Sequence, residues 1–231
     1  MKMKQRLLLF DIDGTLLDTG GAGAGALHDA AEEVLEVPRE DLPPLDLAGA
    51  TDGAVLRQLF SDAKRDFTTE KAAAFWRCYL IALERRLQSN PEGRLHRGVT
   101  ELLESLRPDP RFSLGLLTGN IRRGAQLKLD RFGIAAHFVD GGFGDDGEIR
   151  NHLAPIALSR MELATQRRFS PEEIIVIGDT PKDIACATAL NARCLAVATG
   201  IFNASALTIH TPWQVREDLS DTEEILRHLA A

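Results

Sequence analysis

The chain opens with a block of large apolar side chains, Leu7-Leu8-Leu9-Phe10, that gives way at once to Asp11-Ile12-Asp13-Gly14. An apolar run without alternation predicts a short strand buried on both faces, as in a parallel sheet covered by helices. Gly14 frees the backbone for a sharp turn at its carboxyl end. From residue 19 to 93 the period changes to that of a helix. Leu27, Ala30, Ala31, Val34 and Leu35 share one face, after a glycine and alanine run from Gly20 to Ala26 that predicts a frayed or deliberately slim helix start. A loop over 38–47 containing Pro43-Pro44 follows, then a short amphipathic helix over 54–60 that Thr51 or Asp52 caps. A longer helix opens at Thr68 or Thr69 and runs through Phe75, Trp76, Tyr79, Leu83 and Leu87 to Asn90-Pro91, with Trp76 and Tyr79 read as packing residues.

Beyond Pro91 strands and helices alternate. The spacing predicts helices over 98–106, 122–132, 154–165, 182–190 and 223–229, and strands over 112–117, 174–177 and 194–197. A further short strand is expected around His137-Phe138-Val139, ahead of a loop over 141–147. Such alternation implies a parallel sheet with helices on both faces, to which the opening strand belongs. The expected fold is α/β: a Rossmann-like parallel-sheet core made of residues 1–18 and 94–231, interrupted by an all-helical unit of residues 19–93.

Composition narrows the function classes. The 231 residues are 44% hydrophobic and 26% charged, as in an ordinary globular chain, and carry a net charge of -7. Lys and Arg never cluster beyond pairs, so neither a nucleic acid nor an anionic membrane is an expected partner. Cys78, Cys186 and Cys194 show no metal spacing and read as reduced thiols. The basic start, Met1-Lys2-Met3-Lys4-Gln5-Arg6, precedes an apolar run too short for a signal or a membrane span, so a cytoplasmic protein is expected.

Parallel strands bring their carboxyl ends to one rim. Three tips should meet there: Asp11-Ile12-Asp13, Thr118-Gly119-Asn120 and Gly178-Asp179-Thr180-Pro181-Lys182-Asp183. Acids gathered in this way repel one another unless a cation sits among them, and Mg2+ is the simplest hard divalent answer. The glycines after the strand suggest a dinucleotide fingerprint, but their spacing is not G-x-G-x-x-G and two aspartates intervene. The six histidines are scattered without metal spacing.

Asp11-Ile12-Asp13-Gly14-Thr15, Thr118 and Gly178-Asp179-Thr180-Pro181-Lys182-Asp183 together resemble the first, second and fourth motifs of the haloacid dehalogenase-like hydrolases, in the branch of phosphoglycolate phosphatase and β-phosphoglucomutase. The resemblance spans nearly the whole chain and implies that residues 19–93 form a helical cap. It implies a Mg2+-dependent phosphatase acting on a small phosphorylated metabolite, as a monomer or homodimer. Asp11 would be the nucleophile and form an aspartyl-phosphate, while Asp13 would serve as general acid and base. Asp11, the Asp13 carbonyl and Asp179 would hold the metal, with Asp183 a ligand or the orienter of a metal-bound water. Thr118 and the backbone N–H groups of Gly119 and Asn120 would hold phosphate oxygens. Relatives usually carry Lys in the third motif, where this chain has Arg150, with Lys182 or Arg122 as substitutes. Gly23, Gly25, His28 and Thr51 are the expected cap contacts to substrate. A sugar phosphomutase shares these motifs and stays open as an alternative, as does a non-catalytic interaction module on the same fold. A dehalogenase is disfavoured because Asp13 is present.

Overall fold

The computed structural model describes residues 5–42 and 44–231, so residues 1–4 of the basic start and Pro43 of the predicted loop lie outside the described residues. In chain order the first half holds β1 (Arg6–Phe10), β2 (Leu17–Asp18), α1 (Ala22–Leu35), α2 (Asp52–Asp62), α3 (Thr69–Ser89), β3 (Arg94–Leu95) and α4 (Val99–Leu106). The second half holds β4 (Phe112–Leu117), α5 (Arg122–Arg131), β5 (Gly141–Gly142), α6 (Arg150–Thr165), β6 (Ile174–Gly178), α7 (Pro181–Ala189), β7 (Arg193–Val197), α8 (Ala204–Thr208), β8 (Gln214–Arg216) and α9 (Thr222–Ala230).

Six parallel strands form one sheet in the order β5-β4-β1-β6-β7-β8, which makes the chain an α/β protein with β1 at the centre. The opening apolar block explains that position. Leu8 and Phe10 point into a cluster with Leu102, Leu103 and Leu106 of α4, Leu129 of α5 and Leu229 of α9. Leu7 and Leu9 point the other way, against Leu153, Ala157 and Met161 of α6 and Ile184 of α7. Successive strand residues face opposite sides, so a strand with helices on both sides must be apolar throughout. Each of these side chains is fully buried, worth roughly 1.5–3 kcal/mol apiece by area bookkeeping.

Helices α1, α2 and α3 have a separate core. Ala26, Leu27, Ala30, Ala31 and Leu35 of α1 meet Phe75, Tyr79, Leu83 and Leu87 of α3, with Leu56, Leu59 and Phe60 of α2 closing the cluster. Thr51 and Thr68 accept the N–H groups of Ala54 and Lys71, capping α2 and α3. Where the chain leaves the sheet for these helices and where it returns, β2 and β3 pair antiparallel, Leu17 with Leu95 and Asp18 with Arg94.

The glycine-rich start of α1 is slim rather than frayed: the helix begins at Ala22 and runs straight through Gly23 and Gly25, because close packing against α3 and α5 outweighs poor glycine propensity. Several other elements depart from the sequence reading. The expected strand at 137–139 is instead a turn of 3-10 helix, Ala135–His137; backbone bonds to β4 begin at Val139, whose N–H donates to the Leu114 carbonyl at 3.0 Å, and the strand itself is Gly141–Gly142. Phe138 spends its ring edge-on against Phe10 at 5.8 Å, and Val139 is exposed. α6 starts at Arg150 rather than at 154 and carries Pro155 within it. The β2–β3 pair, β8 and α8 are too short for periodicity to reveal.

Candidate active site

The carboxyl ends of β1, β4 and β6 meet beside one cavity of about 610 Å3. Asp11 follows β1 directly, and its N–H donates to the Ile177 carbonyl of β6 at 2.9 Å, which fixes the tip against its neighbour. Its buried carboxylate lies 3.0 Å from Nη2 of Arg150, and the same nitrogen donates to Asp183 Oδ1 at 2.6 Å. Asp183 Oδ2 in turn accepts the Thr180 N–H at 3.0 Å and its hydroxyl at 2.7 Å, a capping box that starts α7. Both oxygens of Asp183 are thereby committed inside the protein. Asp179 differs: only Oδ1 has a described partner, the Thr15 hydroxyl at 3.0 Å.

Oxygen atoms of Asp11, Asp179 and Asp183 lie within 4.8 Å of one another, the spread of a cation site. Burial pushes the Asp179 carboxyl up to about 8, with the charges of Asp11 and Asp183 adding to the rise. Burial also raises Asp11 to about 6, partly offset by the Arg150 guanidinium. Two enclosed acids held this far above the ordinary carboxylate range are a donor set that a hard divalent ion would satisfy. The backbone around Asp179 is shaped to the same end. A Cβ at Gly14, where φ is +82°, or at Gly200 would overlap the Asp179 carboxylate, so glycine alone leaves it room. The residues present fit the metal.

On the other side of Asp11, Thr118 and Asn120 are buried at the tip of β4. Asn120 donates its amide Nδ2 to Thr118 Oγ1 at 2.8 Å and to Asp13 Oδ2 at 2.7 Å. The remaining partner of Asp13 is a residue that the sequence reading missed. Lys128 of α5 donates from Nζ to both Asp13 oxygens, at 2.8 and 2.6 Å, and to Asn120 Oδ1 at 2.6 Å. All three of its protons are used. A signal for it exists: Ala125, Lys128 and Leu129 fall on the buried stripe of α5, where a cation has no place unless something anionic faces it.

Arg150 stands where the resemblance expects a cation. Neither proposed substitute reaches the cavity wall: Arg122 pairs with Asp140 at 2.8 Å and lies over Phe143, and Lys182 packs beside Gly49.

The helices α1–α3 roof the cavity. Gly23 lines it, with Lys128 Nζ 3.4 Å from where a Cβ would stand. Gly25, His28 and Thr51 do not. Gly25 faces the Arg86 guanidinium, His28 is packed near Arg39 and Asp29, and the Thr51 hydroxyl is taken up by the Glu148 carbonyl at 2.8 Å and the start of α2. Tyr79 is buried as expected but also borders the cavity, as do Asp52, Val55 and Leu27. Asp52 joins roof to floor. Its N–H donates to the Gly119 carbonyl at 2.7 Å, and its carboxylate accepts the Ile121 N–H at 2.8 Å. Only glycine fits at 119, since a Cβ there would overlap the Ala50 carbonyl.

Comparison with known proteins places this geometry in a family. The chain is 25% identical over 229 residues to a phosphoglycolate phosphatase of Vibrio parahaemolyticus, covering 96% of each. It is 24% identical over 221 residues to the pyrophosphatase PpaX of Oceanobacillus iheyensis, covering 95% of each. Its fold is shared by a hydrolase from Pseudomonas syringae, with a TM-score of 0.71 and 23% identity over 99% of this chain and 100% of that one. The sequence profile of the haloacid dehalogenase-like hydrolases matches residues 8–197, which include all three strand tips, and the chain belongs to that family.

Proposed function

We propose that the protein is a Mg2+-dependent phosphatase that hydrolyses a small phosphorylated metabolite through an aspartyl-phosphate on Asp11. One observation carries this reading: Asp11 and Asp179, both with raised pKa values, share a cation-sized gap with Asp183, while Arg150 holds Asp11 and Asp183 at 3.0 and 2.6 Å. Asp11, Asp179 and the Asp13 carbonyl would hold the metal, which supplies charge neutralisation between nucleophile and phosphate. Asp183 acts at one remove, since its oxygens orient Arg150 and α7.

Phosphoryl transfer needs mainly a positioned nucleophile and matched charge. Asp11 Oδ attacks phosphorus in line with the ester oxygen. Asp13 gives its proton to the departing alcohol, then takes one from the water that opens the acyl-phosphate. The Thr118 hydroxyl, the N–H groups of Gly119 and Asn120, and Arg150 bind the phosphate oxygens. Residues 19–93 act as the cap over a core of residues 1–18 and 94–231. The test is phosphate release from a panel of phosphorylated metabolites with and without Mg2+. Release that depends on Mg2+ and disappears in Asp11→Asn is expected, whereas unchanged turnover by Asp11→Asn would overturn the nucleophile.

A further inference from the structure

Where the chain returns from the helices to the sheet, it sets two residues on the cavity wall, Arg94 within β3 and His96 just after it. β3 pairs with β2, and the His96 N–H donates to the Leu16 carbonyl at 3.0 Å. The neighbouring Leu17 carbonyl accepts the Gly14 N–H at 2.9 Å, so the backbone that holds His96 is tied to the turn that carries Asp13. The imidazole has no evident task within the protein. Its Nε2 is buried and meets no hydrogen-bond partner among the described residues. Burial holds its pKa below the ordinary value despite the nearby Asp18 carboxylate, so the ring is neutral near pH 7. Of the acids at the reacting centre, Asp13 bears most strongly on the ring. That puts the imidazole on the side where the departing oxygen takes its proton.

A neutral imidazole carries one N–H donor and one bare acceptor nitrogen. A buried nitrogen left without a partner is costly, and a ligand that supplies one gains by it. A hydroxyl suits either nitrogen, since it donates to the bare one and accepts from the protonated one, whereas a methylene leaves both unmet. From this placement we infer that His96 is a specificity-determining residue: its imidazole hydrogen-bonds a hydroxyl on the leaving group, so the substrate is the phosphate ester of a polyhydroxy compound. The inference rests on the phosphatase reading above and deepens it. It sets no limit on the charge of the leaving group, because Arg94 lines the same stretch of wall, mostly exposed and bridged to Asp18 at 3.2 Å, with donors left for an anionic group.

Two matched pairs test it: glycerol 1-phosphate against propyl phosphate, and glycerol 2-phosphate against isopropyl phosphate. All are assayed with Mg2+, with p-nitrophenyl phosphate as a reporter of the reacting centre. In at least one pair the hydroxylated ester is expected to show a kcat/KM about tenfold or more above that of its deoxy mate. His96→Phe keeps a flat ring but no nitrogen, and should bring that ratio below about threefold, chiefly through the hydroxylated ester. His96→Gln, which returns an amide near the place of Nε2, should restore part of it. A histidine that only supports the fold would shift both members of a pair together and leave the ratio alone. Ratios below about tenfold in both pairs, or a ratio unchanged in folded His96→Phe, overturn the inference, and turnover of p-nitrophenyl phosphate then leaves the phosphatase reading standing. Should His96→Phe fail to fold, the wild-type ratios decide. Folded wild-type protein that releases phosphate from none of the five esters overturns both.

Discussion

A carboxyl as enclosed as that of Asp179 keeps its proton to about pH 8 unless a cation replaces it. Its folded pKa lies above its unfolded value, so in the metal-free protein it favours the folded state at low pH, and that contribution is lost as pH rises through about 8. Mg2+ should reverse the trend. Thermal unfolding at pH 6 and pH 8, with and without the ion, is expected to show the larger Mg2+-dependent rise in Tm at pH 8, because binding must expel fewer protons there. Lys128 makes the second claim at this scale. It fixes the orientation of Asp13, and Lys128→Met should lower kcat for alkyl phosphates by about 10- to 100-fold, part of the usual worth of a general acid. p-Nitrophenyl phosphate, whose leaving group needs less protonation, should suffer less in the step that forms the acyl-phosphate, which burst kinetics resolve. Asp11, Asp13 and Asp179 are legible in the sequence because each sits just past an unbroken apolar strand. Lys128 is harder to read, since one lysine in an amphipathic helix looks like any surface charge until the fold shows which way it faces.

Among the helices, the most instructive contact is that of Asp29 on α1 with Arg86 on α3, paired through two hydrogen bonds of 2.7 and 2.6 Å. The Arg86 hydrogen bonds hold the Asp29 carboxyl below its ordinary range. The sign is opposite to that of Asp179: the contribution is present above the unfolded pKa of about 3.9 and fades as pH falls through the lower folded value. Asp29→Asn should therefore cost about 1 kcal/mol in urea unfolding at pH 7, given the partial exposure of the pair, and the deficit should shrink toward pH 3. The same pair accounts for Gly25, whose missing side chain is where Arg86 lies. Helix periodicity locates α3, of 21 residues, and α4, of only eight, because each buries one continuous apolar face. It leaves the start of α1 open between frayed and slim, which packing decides, and it fails for β5, which has two glycines and no side-chain pattern to read.

At the scale of the molecule, topology does the gathering. With β4 and β6 on either side of β1, side chains as distant in sequence as Asp11, Thr118 and Asp179 become neighbours. That convergence is legible from strand and helix alternation alone. What alternation leaves out is how the helical unit bears on the sheet, since no local pattern says that Asp52 will reach the tip of β4. Helix α5 has no side chain of its own capping its first turn. Its first N–H, on Arg122, is accepted by Asp145 at 3.1 Å, and that of Ile121, the residue just before it, by Asp52 of α2 at 2.8 Å. One of the two acids that meet the start of α5 thus comes from the helical unit and the other from the sheet side. If the helical unit moves as a cap, opening costs the Ile121–Asp52 bond, about 1 kcal/mol, and the shut form is favoured by about fivefold before any substrate arrives.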